Sequence, residues 1–182
     1  MRTIAPPLRA AYTLVEILIV ILVMAIAAAI VIPNIGSADD SQARTAATVL
    51  QSDLEVARSM AMATQVSHSV VFSPDNPDKK RSYKVVADYT PGVAYDDPSN
   101  NVVGHPIIKG RLYEVCLSGL QGMSHVKVTD VSFGGSPPYV KFLSLGQPTA
   151  GGSVDLTVGR ITMTVSVEAL TGIVSVKVKP GA

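Results

Sequence analysis

The sequence predicts an α+β fold in which one long N-terminal helix packs on an antiparallel β-sheet head. Two observations predict this fold. A long apolar run at residues 12–32 is followed, from about Asp39 to residue 65, by apolar residues at helical spacing. After residue 66, apolar residues alternate with polar ones along most of the remaining chain. The length of 182 residues allows one domain with a sizeable core and is too short for two large ones.

The N-terminal part of the helix is predicted from a long apolar run. Arg2 and Arg9 precede residues 12–32, where Thr13 and Glu16 are the only strongly polar residues. About twenty apolar residues suffice to span a bilayer, and basic residues on this side predict a cytoplasmic N-terminus with the rest exported. A secretory signal peptide has a shorter apolar stretch of about 7–15 residues. A plain signal anchor remains an alternative, although an acid inside the membrane is costly and indicates a partner.

The stretch AAYTLVEILIVILVMAIAAAIVIPN, residues 10–34, resembles the N-terminus of type IV pilins and type II secretion pseudopilins. The resemblance implies a pilin-like fold and a leader, residues 1–11, that prepilin peptidase removes between Ala11 and Tyr12. It also implies N-methylation of Tyr12. Ala11 and Tyr12 stand where this family usually has Gly and Phe.

The same resemblance implies roles for Glu16 and Pro33. Cleavage would leave a basic amine on Tyr12, and Glu16 is expected to pair with that amine on a neighbouring helix during assembly. The alternative is that Glu16 merely lies near the lipid headgroups. Pro33 removes one backbone hydrogen bond, so we expect a kink in a continuous helix, unless it simply ends the membrane helix.

The second half of the helix is predicted from one apolar stripe. From about Asp39 to residue 65, the stripe recurs at spacings of three and four and consists of Ala43, Ala47, Leu50, Leu54, Ala57 and Ala61. Asp53, Glu55 and Arg58 fall off the stripe, so we interpret them as a solvated face. The predicted divisions are therefore a membrane or filament-core half, residues 12–35, an amphipathic half-helix, residues 36–66, and a β-rich periplasmic head, residues 67–182.

The head is predicted from alternating segments separated by turn-rich connections. The predicted strands are SHSVVF, SYKVVAD, RLYEVCL, HVKVTDVSF, YVKFL, SVDLTV, RITMTVSVE and IVSVKVK. The link EALTG ends in Gly172 and favours a hairpin between the last two strands. One apolar and one polar side per strand indicates an antiparallel sheet with one solvated face.

Three further segments resemble H-type minor pseudopilins and FimT-like minor pilins. LQSDLEVARSMAMATQVSHSVVF carries the "L..ARS.A" pattern of that subgroup, while VKFLSLGQP and VSVEALTGIVSV resemble its "F...G.P" and "TG.V.V" segments. The residues that carry the resemblance are Leu54, Ala57, Arg58, Ser59, Ala61, Phe142, Gly146, Pro148, Thr171, Gly172 and Val174.

Catalytic and metal signatures are not found, so we expect neither enzyme activity nor a cofactor. The histidines are widely spaced, at His68, His105 and His125, and a lone histidine is more often structural than a ligand. Ser124 lacks the nucleophile elbow of hydrolases. Cys116 lies in an alternating apolar stretch, which favours a small core residue over a reactive thiol.

Two polar clusters suggest binding, but both have a simpler interpretation. Asp96, Asp97, Asn100 and Asn101 offer oxygens of the kind calcium binds, yet Pro98 and the spacing fit a surface turn equally well. A basic patch comprises Lys79, Lys80, Arg81 and Lys84, and nearby acids dilute it, so a solvated loop is favoured over DNA binding. The net charge of +1 gives no further reason to expect a nucleic-acid partner.

The expected function is that of a minor pseudopilin in a type II secretion system. The resemblance implies partners among other pseudopilins or pilins, the prepilin peptidase, the inner-membrane assembly platform and the lipid bilayer. It also implies a single-pass protein of the bacterial inner membrane with its head in the periplasm. The alternatives are a minor pilin of a type IV pilus, acting in assembly or DNA uptake, and a membrane-anchored periplasmic binding module.

Overall fold

The computed structural model describes residues 12–31, 35–73 and 82–179. The chain divides into two compact units, Met1–Ala38 and Asp39–Ala182. In the first unit, helix α1 spans Leu14–Val31. Helix α2 spans Ile35–Thr64, and most of it belongs to the second unit.

The head contains two four-stranded antiparallel sheets. The first has the order β3-β2-β1-β5, and the second has the order β4-β6-β7-β8. Their bounds are His68–Phe72 for β1, Ser82–Ala87 for β2, Glu114–Cys116 for β3, Lys127–Val131 for β4, Tyr139–Phe142 for β5, Gly152–Val158 for β6, Ile161–Val167 for β7 and Val174–Lys179 for β8. A short 3-10 helix, Leu117–Gly119, follows β3. The predicted α+β fold is confirmed, with strands divided between two sheets.

One hydrophobic core joins α2 to both sheets. Every residue of the predicted α2 stripe is fully buried, from Ala43 to Ala61. Large residues of both sheets pack in the same core, among them Phe72, Phe142 and Leu156. The helical period therefore located the core-facing side of α2 correctly.

The expectation of one solvated face is wrong for the first sheet. All five residues of β1 are buried, because a second apolar cluster of Val71, Val86, Tyr89 and Tyr95 lies on the outer side. Both tyrosines come from the segment after β2, residues 88–102, which covers this side of the sheet. Alternation along a strand identifies its two faces but does not show that a loop covers one of them.

The predicted hairpin near the C-terminus is confirmed. β7 and β8 pair from Val167 with Val174 to Thr162 with Lys179. Gly172 has a φ of 67°, which L side chains rarely adopt, and its N–H donates to the carbonyl of Glu168 at 2.9 Å. The turn thus needs glycine at this position.

Candidate functional site

The N-terminal turn of α1 is capped by Thr13. The hydroxyl of Thr13 accepts a hydrogen bond from the backbone N–H of Glu16 at 3.2 Å. The spacing Thr13-x-x-Glu16 is that of a capping box, and an acid at this position is stabilised by the positive end of the helix dipole. The T-x-x-E spacing was readable in the sequence and gives Glu16 a local role besides the predicted assembly contact.

The structure places Tyr12 and Glu16 together at this end of α1, with both residues exposed. The other two predicted positions, Ala11 and Pro33, lie outside the described residues. Cleavage, methylation, the kink and the pairing of Glu16 with a neighbouring amine therefore stay predictions.

Large apolar side chains cover α1 on all sides and are exposed. Their exposed fractions run from 50% at Val20 to 80% at Leu14. The set consists of Tyr12, Leu14, Val15, Ile17, Leu18, Ile19, Val20, Ile21, Leu22, Val23, Met24 and Ile26. A helix that is apolar all round requires an apolar environment on every side. Burial of the set would contribute on the order of 10 kcal/mol.

Within residues 12–31, 35–73 and 82–179, no helix reaches the length and apolarity that a membrane crossing requires.

In the head, the subgroup motifs converge on one place. Nε of Arg58 in α2 donates to the carbonyl oxygen of Gly146 at 3.0 Å. Gly172 lies against the same carbonyl, since a Cβ on it would be 2.8 Å from that oxygen and 3.0 Å from Cδ of Pro148. The three separate motifs thus form one junction between α2, the loop after β5 and the β7–β8 turn. Arg58 is half-buried in this junction, so its assignment to the solvated face is wrong.

Exposed apolar side chains occur on the three segments that meet at this junction. We call Met62, Leu143, Leu145, Leu170 and Ile173 the junction residues; their exposed fractions range from 42% to 79%. A groove of about 410 Å³ opens beside Leu170 and Ile173.

Asp53 forms a hydrogen-bonded cluster with two tyrosines of the head. The hydroxyl of Tyr83 donates to one carboxylate oxygen at 2.5 Å, and the hydroxyl of Tyr113 donates to the other at 2.9 Å. Burial raises the pKa of Asp53 despite these bonds, and burial beside this carboxylate raises the pKa of both tyrosines. The solvated-face prediction is wrong for Asp53 because the tyrosines reach it from the sheet.

The loop suggested for calcium is arranged as a turn. Asp97 Oδ1 accepts a hydrogen bond from the backbone N–H of Ser99 at 2.8 Å. Hydrogen bonding to Ser99 lowers the pKa of Asp97. Nδ2 of Asn100 donates to the carbonyls of Ala94 and Tyr95 at 2.8 and 3.1 Å. Among the described residues, no group of three or more His, Cys, Asp or Glu side chains could hold a metal. The contacts favour the surface-turn interpretation.

The predicted basic patch is only partly visible. Lys79, Lys80 and Arg81 lie outside the described residues. Lys84 is buried, with Nζ 4.4 Å from the centroid of the Tyr95 ring and bonded to the Tyr95 carbonyl. Its side chain points to the covered side of the first sheet, so Lys84 cannot belong to a solvated patch.

Cys116 is half-buried, with Sγ 3.5 Å from Oγ of Ser118, and is not in the main core.

Comparison with solved structures identifies the fold. The minor pseudopilin EpsH of the type 2 secretion system of Vibrio cholerae matches with a TM-score of 0.54 and 12% identity, over 75% of this chain and 97% of that chain. The type IV minor pilin FimU of Pseudomonas aeruginosa matches with a TM-score of 0.47 and 13% identity, over 78% of this chain and 90% of that chain. No protein-family model and no curated protein matches the sequence. The likeness to EpsH shows that this chain has a type IV pilin/pseudopilin-like fold.

Proposed function

We propose that this chain is a minor pilin-like subunit that assembles with other pilins or pseudopilins through α1. The observation that carries the proposal is the exposed apolar surface of α1. Such a surface needs lipid before assembly and neighbouring helices after it. The pseudopilin-like fold of the head supports the same role. Within this role the protein performs no catalysis.

The proposal includes a bacterial inner-membrane anchor. Its support is the apolar run of the sequence, residues 12–32, which extends beyond both ends of α1. Prepilin peptidase would cut between Ala11 and Tyr12, and the assembly platform would take the subunit from the membrane. Mass spectrometry of the N-terminal peptide from cells with active prepilin peptidase tests this step. An N-terminus at Tyr12 with a methyl group is expected, and an uncut chain would contradict it.

The finer proposal is a minor pseudopilin of a type II secretion system. It is supported by the likeness to EpsH, almost all of whose chain is covered. Deleting the gene should then abolish export of a folded secreted protein while leaving surface pili intact. The opposite result, normal export with lost pili, would favour a minor pilin of a type IV pilus.

The Glu16 side chain provides the sharpest test of assembly. Glu16→Gln removes the charge but keeps a residue type that is also favoured at this position of a capping box. We expect this variant to insert in membranes as the parent does and to lose co-purification with neighbouring subunits. Glu55→Gln is the matched control, since Glu55 is an exposed acid on α2. Normal co-purification of Glu16→Gln would show that the charge is not needed.

A further inference from the structure

A hairpin on the head presents an apolar tip to solvent. Its two arms, at residues 102–105 and 111–113, are joined by bonds such as His105 N–H to the Arg111 carbonyl at 2.8 Å. Every residue from 106 to 112 is exposed. Three of them are large aliphatic residues, namely Ile107 at 85%, Ile108 at 46% and Leu112 at 58% exposure. Hydrophobic residues at the end of a loop are costly in water unless something covers them.

The tip is held in place by His105. Nδ1 of His105 accepts hydrogen bonds from the backbone N–H groups of Ile107 and Ile108, both at 3.2 Å. The ring of His105 contacts the ring of Tyr113, with centroids 4.7 Å apart. Tyr113 in turn donates to Asp53 on α2. The isoleucines are therefore presented on a braced loop connected to the core.

The charged side chains within the tip have one sign. Lys109 and Arg111 are exposed among the aliphatic residues, and residues 102–113 contain no Asp or Glu. This pattern suits an anionic lipid surface, where aliphatic side chains enter the acyl boundary and cations remain among the headgroups. A protein interface of standard size requires about 800 Å² from each partner, which a tip of seven residues does not supply by itself.

We propose that the hairpin tip, residues 106–112, docks the head on the surface of a bilayer that contains anionic phospholipid. Ile107 and Ile108 enter the acyl boundary, and Lys109 and Arg111 contact lipid phosphates. The docking is a property of the head and does not require α1 to span the bilayer.

The absence of tryptophan from the sequence gives a direct test. The full-length Ile107→Trp variant is added to vesicles of phosphatidylglycerol and phosphatidylethanolamine with brominated acyl chains, and its fluorescence is measured. We expect a blue shift of the tryptophan emission and at least twofold quenching of its intensity. Vesicles of phosphatidylcholine should give much less of both effects. Lys109→Glu/Arg111→Glu in the same background should reduce the quenching to the phosphatidylcholine level.

Two control variants separate the tip from the rest of the chain. Leu120→Trp places the indole on another part of the head, where the leucine is 39% exposed and has no Lys or Arg within six residues in sequence. Leu18→Trp reports whether α1 enters the bilayer. If Ile107→Trp is quenched no more than Leu120→Trp, the tip proposal is overturned. The same result is expected if the tip contacts another subunit instead of lipid. Unquenched Leu18→Trp would contradict the membrane anchor alone.

Discussion

Replacing Gly172 by alanine should destabilise the head through two separable effects. At a φ of 67°, an L residue costs roughly 1–2 kcal/mol, which the reduced entropy of the unfolded chain offsets by about 0.4–1 kcal/mol. The new Cβ would also lie 2.8 Å from the backbone oxygen of Gly146. Overpacking of this kind adds about 1–3 kcal/mol, because a backbone atom must move. We therefore expect a total loss of about 3 kcal/mol.

Gly122 supplies the matched control for the backbone effect. Its φ is 76°, and a Cβ on it would meet nothing within 4 Å. Gly122→Ala should thus cost only about 1 kcal/mol. At about 2–4 °C per kcal/mol, the melting temperature should fall by roughly 6–12 °C for Gly172→Ala and 2–4 °C for the control.

The assay is urea and thermal unfolding of both full-length variants in the same detergent, followed by far-ultraviolet circular dichroism. Equal losses in the two variants would refute the contact between Gly172 and Gly146. The junction of the three motifs would then lose its physical basis. A larger loss in Gly122→Ala would refute the reasoning altogether.

Two further predictions concern the charged groups of the head. Tyr113→Phe removes the hydrogen bond from the tyrosine hydroxyl to the carboxylate of Asp53. The free energy of unfolding at pH 7 should fall by about 1.5–3 kcal/mol, measured by urea unfolding. An unchanged midpoint would contradict this role of Tyr113. Burial raises the pKa of Asp155, but the bonds from Lys179, at 2.6 Å, and Thr164 outweigh it and the net pKa is lowered. Stability from this carboxylate is therefore present above its unfolded pKa of about 3.9 and is lost as the pH falls through the lowered folded value. Lys179→Ala should make the free energy of unfolding less dependent on pH below about pH 4, and an unchanged slope there would exclude the ion pair as its cause.

The elements with local periodicity could be predicted from the sequence. The stripe from Ala43 to Ala61 can be read from the sequence because helix geometry repeats over about five turns of one element. The eight strands were visible for the same reason, since alternation is a property of each strand alone. Strand pairing depends on distant segments, so the division into two sheets could not be read from these patterns.

The errors occurred where a side chain meets a distant partner. The helical pattern predicts solvent exposure for Asp53 and Arg58 because they lie off the apolar stripe of α2. The structure instead gives Asp53 two tyrosine hydroxyls and Arg58 the carbonyl of Gly146. Lys84 lies at a polar position of β2, but the segment after β2 folds over it. Helix position alone shows which side faces the core, not which polar groups the surrounding loops reach.

The segment that covers the first sheet limits where the protein can be modified. An epitope tag inserted between Tyr89 and Asn101 would separate Tyr89 and Tyr95 from Val71 and Val86. The uncovered sheet would then expose an apolar face to other molecules. The tagged protein should therefore aggregate even with its main core intact. Reporter groups are better placed on exposed side chains elsewhere on the head.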